Sequence, residues 1–314
     1  MIPAEWVEAA SRRMAGQITH TPITFDENLD LHYKWENQQV TGSFKIRGAL
    51  NKVLFLTPEE RAYGLVTSSA GNHGQGVAVA ARQTKTKCVV YASDHAAPVK
   101  LDAMRKLGAE VRLVNGGYVE AEKAAIVCAG ETGMTFISPY NDPDVIAGQG
   151  TIGLEIRDWI RTESDASCLL IPVGGGGLIS GVASYLRAFD RNVRIIGVQS
   201  EASPFAHQLF RTGSQNGVVE VDSIADGLAG EIDHASITIP LMLEYVDDIV
   251  LVTEDEIREA IRYAWQTHQQ IIEGSAAVGL AARLAGKINL SPVLTIITGG
   301  NIQPELFNTI IRRN

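Results

Sequence analysis

Four short stretches of the chain carry residue types that could do chemistry. The first is Val173-Gly174-Gly175-Gly176-Gly177-Leu178, directly after an apolar run. Consecutive glycines leave their backbone N–H groups unshielded. A helix starting there would add its positive N-terminal end, and together these make a cradle for phosphate. No Lys-Ser/Thr follows, so this is not a nucleotide P-loop, and the GxGxxG dinucleotide spacing is missing. A mononucleotide or a phosphorylated cofactor fits. So does a turn that needs positive φ, although four glycines exceed what one turn requires.

The second stretch is Thr67-Ser68-Ser69-Ala70-Gly71-Asn72-His73-Gly74-Gln75-Gly76. Hydroxyls, an amide and small residues lie where a helix should begin, and such a turn can hold a carboxylate through N–H groups and Ser hydroxyls. An ordinary N-cap is the competing reading; His73 and the crowd of small residues favour a site. The third, Ser43-Phe44-Lys45-Ile46-Arg47-Gly48, sets Lys45 between apolar neighbours. Most lysines are solvated, but a desolvated one has a lowered pKa and can form a Schiff base. The fourth, Ile297-Thr298-Gly299-Gly300-Asn301, is either a second anion turn or a plain strand-to-helix connection.

The elements that must position these stretches alternate along the chain. Short β-rich apolar runs predict strands at Leu65–Thr67, Lys87–Ala92, Glu110–Val114, Thr135–Ser138, Cys168–Val173, Arg194–Gln199, Asp248–Val252 and Val293–Thr298,. Helical spacing falls between them. Pro3–Ala15 carries Trp6, Val7, Ala10 and Met14 on one face, Thr253 and Glu256 form a capping-box pattern before Glu254–Gln270, and Pro304–Arg312 predicts a last helix. Repeated strand–helix units predict an α/β fold of parallel sheets with helices on both faces. The strand count, with a long helical pattern between Gln149 and Ile160, suggests two such units: a smaller inserted one over 50–142, and a larger one from 1–49 plus 143–314. In this architecture ligands bind beyond the carboxyl ends of strands, where the glycine-rich stretches lie.

Composition narrows the function classes. The chain has 314 residues, of which 45% are hydrophobic and 20% charged, too apolar for disorder,. Its formal net charge of −9 argues against nucleic acid as a partner,. No apolar run is long enough to cross a bilayer, and the N-terminal residues do not form a signal peptide. Three scattered cysteines, Cys88, Cys128 and Cys168, predict neither a disulfide framework nor a zinc knuckle, and a cytoplasmic setting fits them,. His20, His32, His95, His207, His234 and His268 share no metal-ligand spacing and read as surface or loop residues. Trp6, Trp35, Trp159 and Trp265 read as packing residues.

Taken together, Gly42-Ser43-Phe44-Lys45-Ile46-Arg47-Gly48-Ala49, Ser69-Ala70-Gly71-Asn72-His73, Ala147-Gly148-Gln149-Gly150-Thr151, the Gly174–Leu178 loop, Ala225-Asp226-Gly227 and Gly299-Gly300-Asn301 resemble the pyridoxal-phosphate enzymes of the threonine/serine dehydratase and serine racemase family. This is the fold type II, tryptophan synthase β-like group, and the short catabolic-type threonine dehydratases within it are the nearest in pattern. The resemblance runs over nearly the whole chain. It implies two parallel-sheet, three-layer units and pyridoxal 5'-phosphate as cofactor. It implies Lys45 as the lysine that carries the cofactor and as the base for the substrate α-proton, Phe44 against the pyridine ring, and Asn72 at the ring hydroxyl. The N–H groups of Gly174, Gly175, Gly176, Gly177 and Leu178 would take the phosphate, and Thr298 would lie beside the ring nitrogen. Ser69, Gly71, Asn72 and His73 would clamp the substrate carboxylate. Glu273 would approach the cofactor or serve structure alone. A threonine hydroxyl cannot protonate the ring nitrogen as a carboxylic acid could, so the resemblance implies rapid loss of a β-leaving group over transamination.

The implied reaction is loss of water from L-threonine, giving 2-oxobutyrate and ammonia, or from L-serine, giving pyruvate and ammonia. The alternatives are a serine racemase, a dehydratase of another β-hydroxy amino acid such as 3-hydroxyaspartate, and, from another class, a non-catalytic binder of a phosphate-bearing ligand. Racemases of the group carry Ser where this chain has Ala70, which cannot transfer a proton. Gln199 and Phe205 stand where racemase-like members hold a divalent metal with carboxylates, so such a site is not expected; a monovalent cation is compatible. The chain ends soon after Asn301, so no C-terminal regulatory domain is expected. A homodimer or homotetramer is expected from the family.

Overall fold

The apolar runs become the strands of two sheets. In the computed structural model, which describes residues 2–162, 168–189 and 192–312, the strands are β1 (Ile23–Asp26), β2 (Leu31–Trp35), β3 (Leu65–Ser68), β4 (Cys88–Ser93), β5 (Glu110–Val114), β6 (Thr135–Phe136), β7 (Cys168–Pro172), β8 (Arg194–Ser200), β9 (Asp248–Val252) and β10 (Val293–Ile297). One sheet has the order β1-β2-β10-β7-β8-β9, the other β5-β4-β3-β6. All pairings are parallel except β1 with β2.

Both faces of each sheet are covered. Along β7, Leu169 and Ile171 pack into one apolar cluster with the helix Gly177–Arg187, while Cys168 and Leu170 point into another with the helix Gly274–Leu284. In the smaller sheet, Leu65, Cys88 and Val90 face the helices Lys45–Phe55 and Asn72–Thr84, and Val66 and Val89 face the helix Tyr118–Thr132. Period-two alternation with apolar residues on both faces is the signature of a parallel sheet between helix layers, and it gives the α/β three-layer class expected.

Several details depart from expectation. The strands β1 and β2 were not read from sequence. In β2, Leu-His-Tyr-Lys-Trp reads as amphipathic, but Lys34 is fully buried because its ammonium bonds Glu155 at 2.6 Å. The long helix begins at Pro143 rather than near Gln149. Trp6 is 47% exposed and packs little. His268 is not a free surface residue: its Nε2 lies 2.9 Å from buried Asp26 Oδ2. His32 is half-buried, with its ring against Phe25 and Trp159. The capping box at Thr253 and Glu256 forms as written. All three cysteines are buried and free. Among the described residues no helix is long and apolar enough to cross a membrane.

Candidate active site

The glycine loop follows β7 and opens the helix Gly177–Arg187. Gly176 takes φ +84°, a left-handed conformation that disfavours side chains,. A Cβ on Gly175 would strike the Tyr140 ring, one on Gly177 would meet Tyr140 Cα at 2.9 Å, and one on Gly174 would meet Leu228 Cα at 3.0 Å. Packing therefore excludes a side chain at Gly175 and Gly177 and leaves little room for one at Gly174. Among the described residues, the backbone N–H groups of Gly174, Gly175, Gly176, Gly177 and Leu178 find no acceptor, and Gly176, Gly177 and Leu178 are buried. Buried N–H groups are normally paired. A row of unpaired ones at a helix N-terminus fits an anionic group such as a phosphate.

Lys45 opens the helix Lys45–Phe55. Its Nζ donates one hydrogen bond, to the Pro139 carbonyl at 2.9 Å, and lies 5.3 Å from the centroid of the Phe44 ring. Burial pulls its pKa down to about 8, against the opposing pull of the Glu273 carboxylate. At pH 7 about a tenth of such an amine is neutral. The close approach of the next helix needs Gly76, whose Cβ would come within 3.2 Å of the Lys45 carbonyl.

Asn72 is held from two sides. Its Nδ2 donates to Glu273 Oε1 at 2.6 Å, and its Oδ1 accepts from Asn301 Nδ2 at 2.7 Å. Asn301 also donates to the Thr41 carbonyl. Glu273 is buried against Gly299, where any side chain would collide with its carboxylate. Burial, with the nearby Asp226 charge, raises the Glu273 carboxyl to about 7, while Lys100, the Asn72 bond and Lys45 pull the other way. Thr298 is buried at the end of β10, and its carbonyl accepts the Phe44 N–H at 3.0 Å. Gly300 N–H donates to the Gly42 carbonyl, so the segments before Lys45 and after β10 are joined.

The 69–73 turn lies opposite, at the start of the helix Asn72–Thr84. Ser69 Oγ accepts the Gly71 N–H at 3.1 Å. Ala70 is exposed, whereas the His73 side chain is buried. Burial holds His73 near a pKa of about 3, with the Lys45 charge adding to the effect. The turn that the sequence presents as one cluster is thus split by the fold: Ala70 lies at the surface, and the His73 imidazole points into the core.

Several residues that hold the site were not found from sequence. Pro139 O and the Tyr140 ring come from the segment after β6; their types gave no signal. Lys100, on the helix Pro98–Lys106, meets Asp226 at 2.7 Å. Behind Lys45, Arg47 makes two bonds to Glu36 and two to Glu155, all between 2.6 and 3.1 Å. The residues of this cluster lie far apart in sequence, so no local pattern announced it. At the end of β8 in the larger sheet, Gln199 is buried with Oε1 accepting the His207 N–H, and Glu201 is exposed. Among the described residues no group of three or more His, Cys, Asp or Glu side chains converges.

Comparison with known proteins places this geometry. Residues 14–299 match the family model described as "Pyridoxal-phosphate dependent enzyme". An L-threonine ammonia-lyase of Thermotoga maritima is 39% identical, over 100% of this chain and 79% of that protein. The catabolic L-threonine dehydratase TdcB of Staphylococcus aureus is 40% identical, over 94% of this chain and 88% of its own. Among solved structures, maize serine racemase superposes with a TM-score of 0.91 at 28% identity, covering 98% of this chain and 95% of that one. The processed form of threonine deaminase isoform 2 from Solanum lycopersicum gives 0.87 at 32% identity, covering 98% and 87%.

Proposed function

The chain belongs to the pyridoxal-phosphate dependent enzyme family, and from that premise we propose that it is a threonine/serine ammonia-lyase, removing water from L-threonine, and from L-serine, to give the 2-oxo acid and ammonia. The observation that carries this reading is Lys45: a half-buried amine with one hydrogen-bond acceptor, the carbonyl of Pro139, whose neighbour Tyr140 packs on the glycine loop with its row of unpaired N–H groups. Relatives named as L-threonine ammonia-lyase or dehydratase support the substrate class.

The residues present fit the cofactor. Lys45 would hold its aldehyde carbon and the Gly174–Leu178 N–H groups its phosphate. Phe44 would flank the ring, Asn72 would donate to the ring hydroxyl, and Thr298 would lie at the ring nitrogen. When bound, pyridoxal phosphate supplies an electron sink for the electron pair left at the substrate α-carbon. The protein does the rest. The Asn72 and His73 N–H groups and the Ser69 hydroxyl, with Gly71 shaping the turn, bind and orient the substrate carboxylate. The Lys45 amine, once free, takes the α-proton, which its lowered pKa permits near neutral pH,. The β-hydroxyl leaves as water. The released enamine tautomerises and is hydrolysed, so one water leaves, one enters, and ammonia is the second product. Ala70 has no proton to return from the opposite face, which disfavours racemisation.

The same reading carries a division into units 50–142 and 1–49 plus 143–314, a homodimer or homotetramer, and no divalent-metal requirement. The test is 2-oxo acid release from L-threonine, with L-serine and 3-hydroxyaspartate alongside and pyridoxal phosphate added. Fast 2-oxobutyrate formation is expected. Turnover of 3-hydroxyaspartate alone would overturn the substrate assignment, and a colourless protein that borohydride does not modify would overturn the cofactor assignment.

A further inference from the structure

The His73 imidazole does not fit the carboxylate clamp to which its place in the turn would assign it. It is 3% exposed, and its Nε2 lies 3.0 Å from the Ile137 carbonyl. A carbonyl only accepts, so Nε2 carries the proton and Nδ1 is the bare acceptor. Nδ1 is buried and, among the described residues, has no partner. The same carbonyl takes a second donor, the Thr67 hydroxyl, at 2.7 Å. The Ile137 N–H is bound in turn to the Val66 carbonyl at 2.8 Å. The Ile137 backbone is therefore fixed on both sides, by three residues of the smaller sheet's core.

Two residues on is Pro139, whose carbonyl is the one acceptor that Lys45 Nζ reaches among the described residues. The intervening Ser138 Oγ accepts the Asn141 N–H at 3.0 Å, which tightens the same segment. The Pro139 ring fixes its own φ. The Tyr140 N–H, which shares a peptide plane with the Pro139 carbonyl, lies 3.5 Å from Ser138 Oγ and restrains the remaining ψ, so the direction of that carbonyl follows from where Ile137 and Ser138 are held. We propose that His73 is a positioning residue for Lys45: by donating Nε2–H to the Ile137 carbonyl it sets the 137–139 backbone whose Pro139 carbonyl holds the Lys45 amine, and its side chain does not bind substrate.

This assigns the two halves of one residue to different tasks. The His73 N–H, at the first turn of its helix, stays available to a carboxylate; the imidazole works on the far side, through the backbone. Its held neutrality agrees, since an imidazolium would put a second cation near Lys45.

The inference takes Lys45 as the reactive amine and to that extent rests on the proposed function, so the test has one arm that needs no turnover. In the cofactor-free full-length chain, competitive acetylation with peptide mass spectrometry reads the reactivity of Lys45 at pH 7. Without its aligned carbonyl the ammonium form loses a stabilising bond and more amine is neutral. His73→Leu should raise the Lys45 labelling rate more than twofold, and His73→Gln, which keeps an N–H donor, should return it towards wild type. A change below twofold in His73→Leu overturns the proposal. In the second arm, L-threonine turnover by the holoenzyme, His73→Leu should lower kcat at least tenfold with KM within twofold, and His73→Gln should recover most of kcat. A tenfold rise in KM at unchanged kcat would instead make the imidazole a substrate ligand. Should His73→Leu fail to fold, Thr67→Val removes the other donor to the same carbonyl. It should move labelling and kcat in the same directions by a smaller factor, and wild-type values for both would overturn the proposal. If the wild-type protein leaves L-threonine untouched, the function assignment fails while the labelling arm still decides this one.

Discussion

Lys45 and Arg47 sit two residues apart on one helix, the first half-buried and the second fully buried, and their surroundings differ completely. Arg47 is saturated. Its guanidinium makes bidentate contacts with Glu36 and Glu155 and a further bond to the Thr151 hydroxyl. Lys34 closes the cluster on Glu155, so two cations face two carboxylates. Lys45 has one neutral acceptor, a lowered pKa, and unpaired N–H groups nearby. Paired charges fix geometry; an underpaired amine keeps its reactivity. The helix thus carries its anchor and its reactive group within its first turn, and the anchor sets where the reactive group begins.

Substitutions sharpen that contrast. Lys45→Ala should reduce L-threonine turnover by at least about 10⁴-fold, as expected for loss of a covalent and base group, while thermal unfolding shows a stability equal to or above wild type. Arg47→Met should do the reverse in kind. Leaving Glu36 buried without a cation, and Glu155 with Lys34 alone, should cost about 3–5 kcal/mol by denaturant unfolding,. If Arg47→Met were as stable as wild type, the anchor role would fail.

Gly176→Ala tests the cradle. Placing a side chain at φ +84°, against Met242 Sδ at 2.8 Å, should cost about 1–2 kcal/mol. Cofactor titration should show roughly tenfold weaker binding, with the strands of the larger sheet intact by circular dichroism. Unchanged affinity would show that the loop backbone does not hold the cofactor.

A different kind of effect comes from pH. His73 has a depressed folded pKa, so its contribution is fully present above the ordinary value of 6.5 and is lost as pH falls towards about 3. In that window the unfolded chain binds the extra proton, and stability drops by about 1.4 kcal/mol per pH unit. Glu273 runs the opposite way. Its carboxyl is raised to about 7, so its contribution is present below 4.5 and lost as pH rises through 7. The two trends oppose each other between pH 4.5 and 6.5, and the difference between wild type and His73→Leu isolates the first. Parallel pH profiles for the two proteins would contradict the buried, neutral state of His73.

The two regions were unequally legible in the sequence. The strands β3 to β10 could be read because each is a short apolar run between helices, and the class followed from their alternation. Lys45, the glycine loop and the 69–73 turn stood out because their residue types are costly without a purpose: an unsolvated lysine, consecutive glycines, a polar cluster at a helix start. The Arg47 cluster did not stand out. Glu36, Arg47 and Glu155 are spread over more than a hundred residues, and each alone looks like an ordinary surface charge. The strand β2 went unread for a related reason, since the burial of its Lys34 depends on Glu155, far along the chain. Pro139 could not have been found at all, since its part is played by a backbone carbonyl. Pairing across the fold is what the local pattern lacks, and it decides which buried cation is structural and which reacts.

The most direct check of that distinction is borohydride reduction of the cofactor-loaded protein followed by peptide mapping. The account predicts one pyridoxyl adduct, on Lys45. An adduct on Lys34, Lys52 or Lys100 instead, or none on a yellow protein, would contradict it.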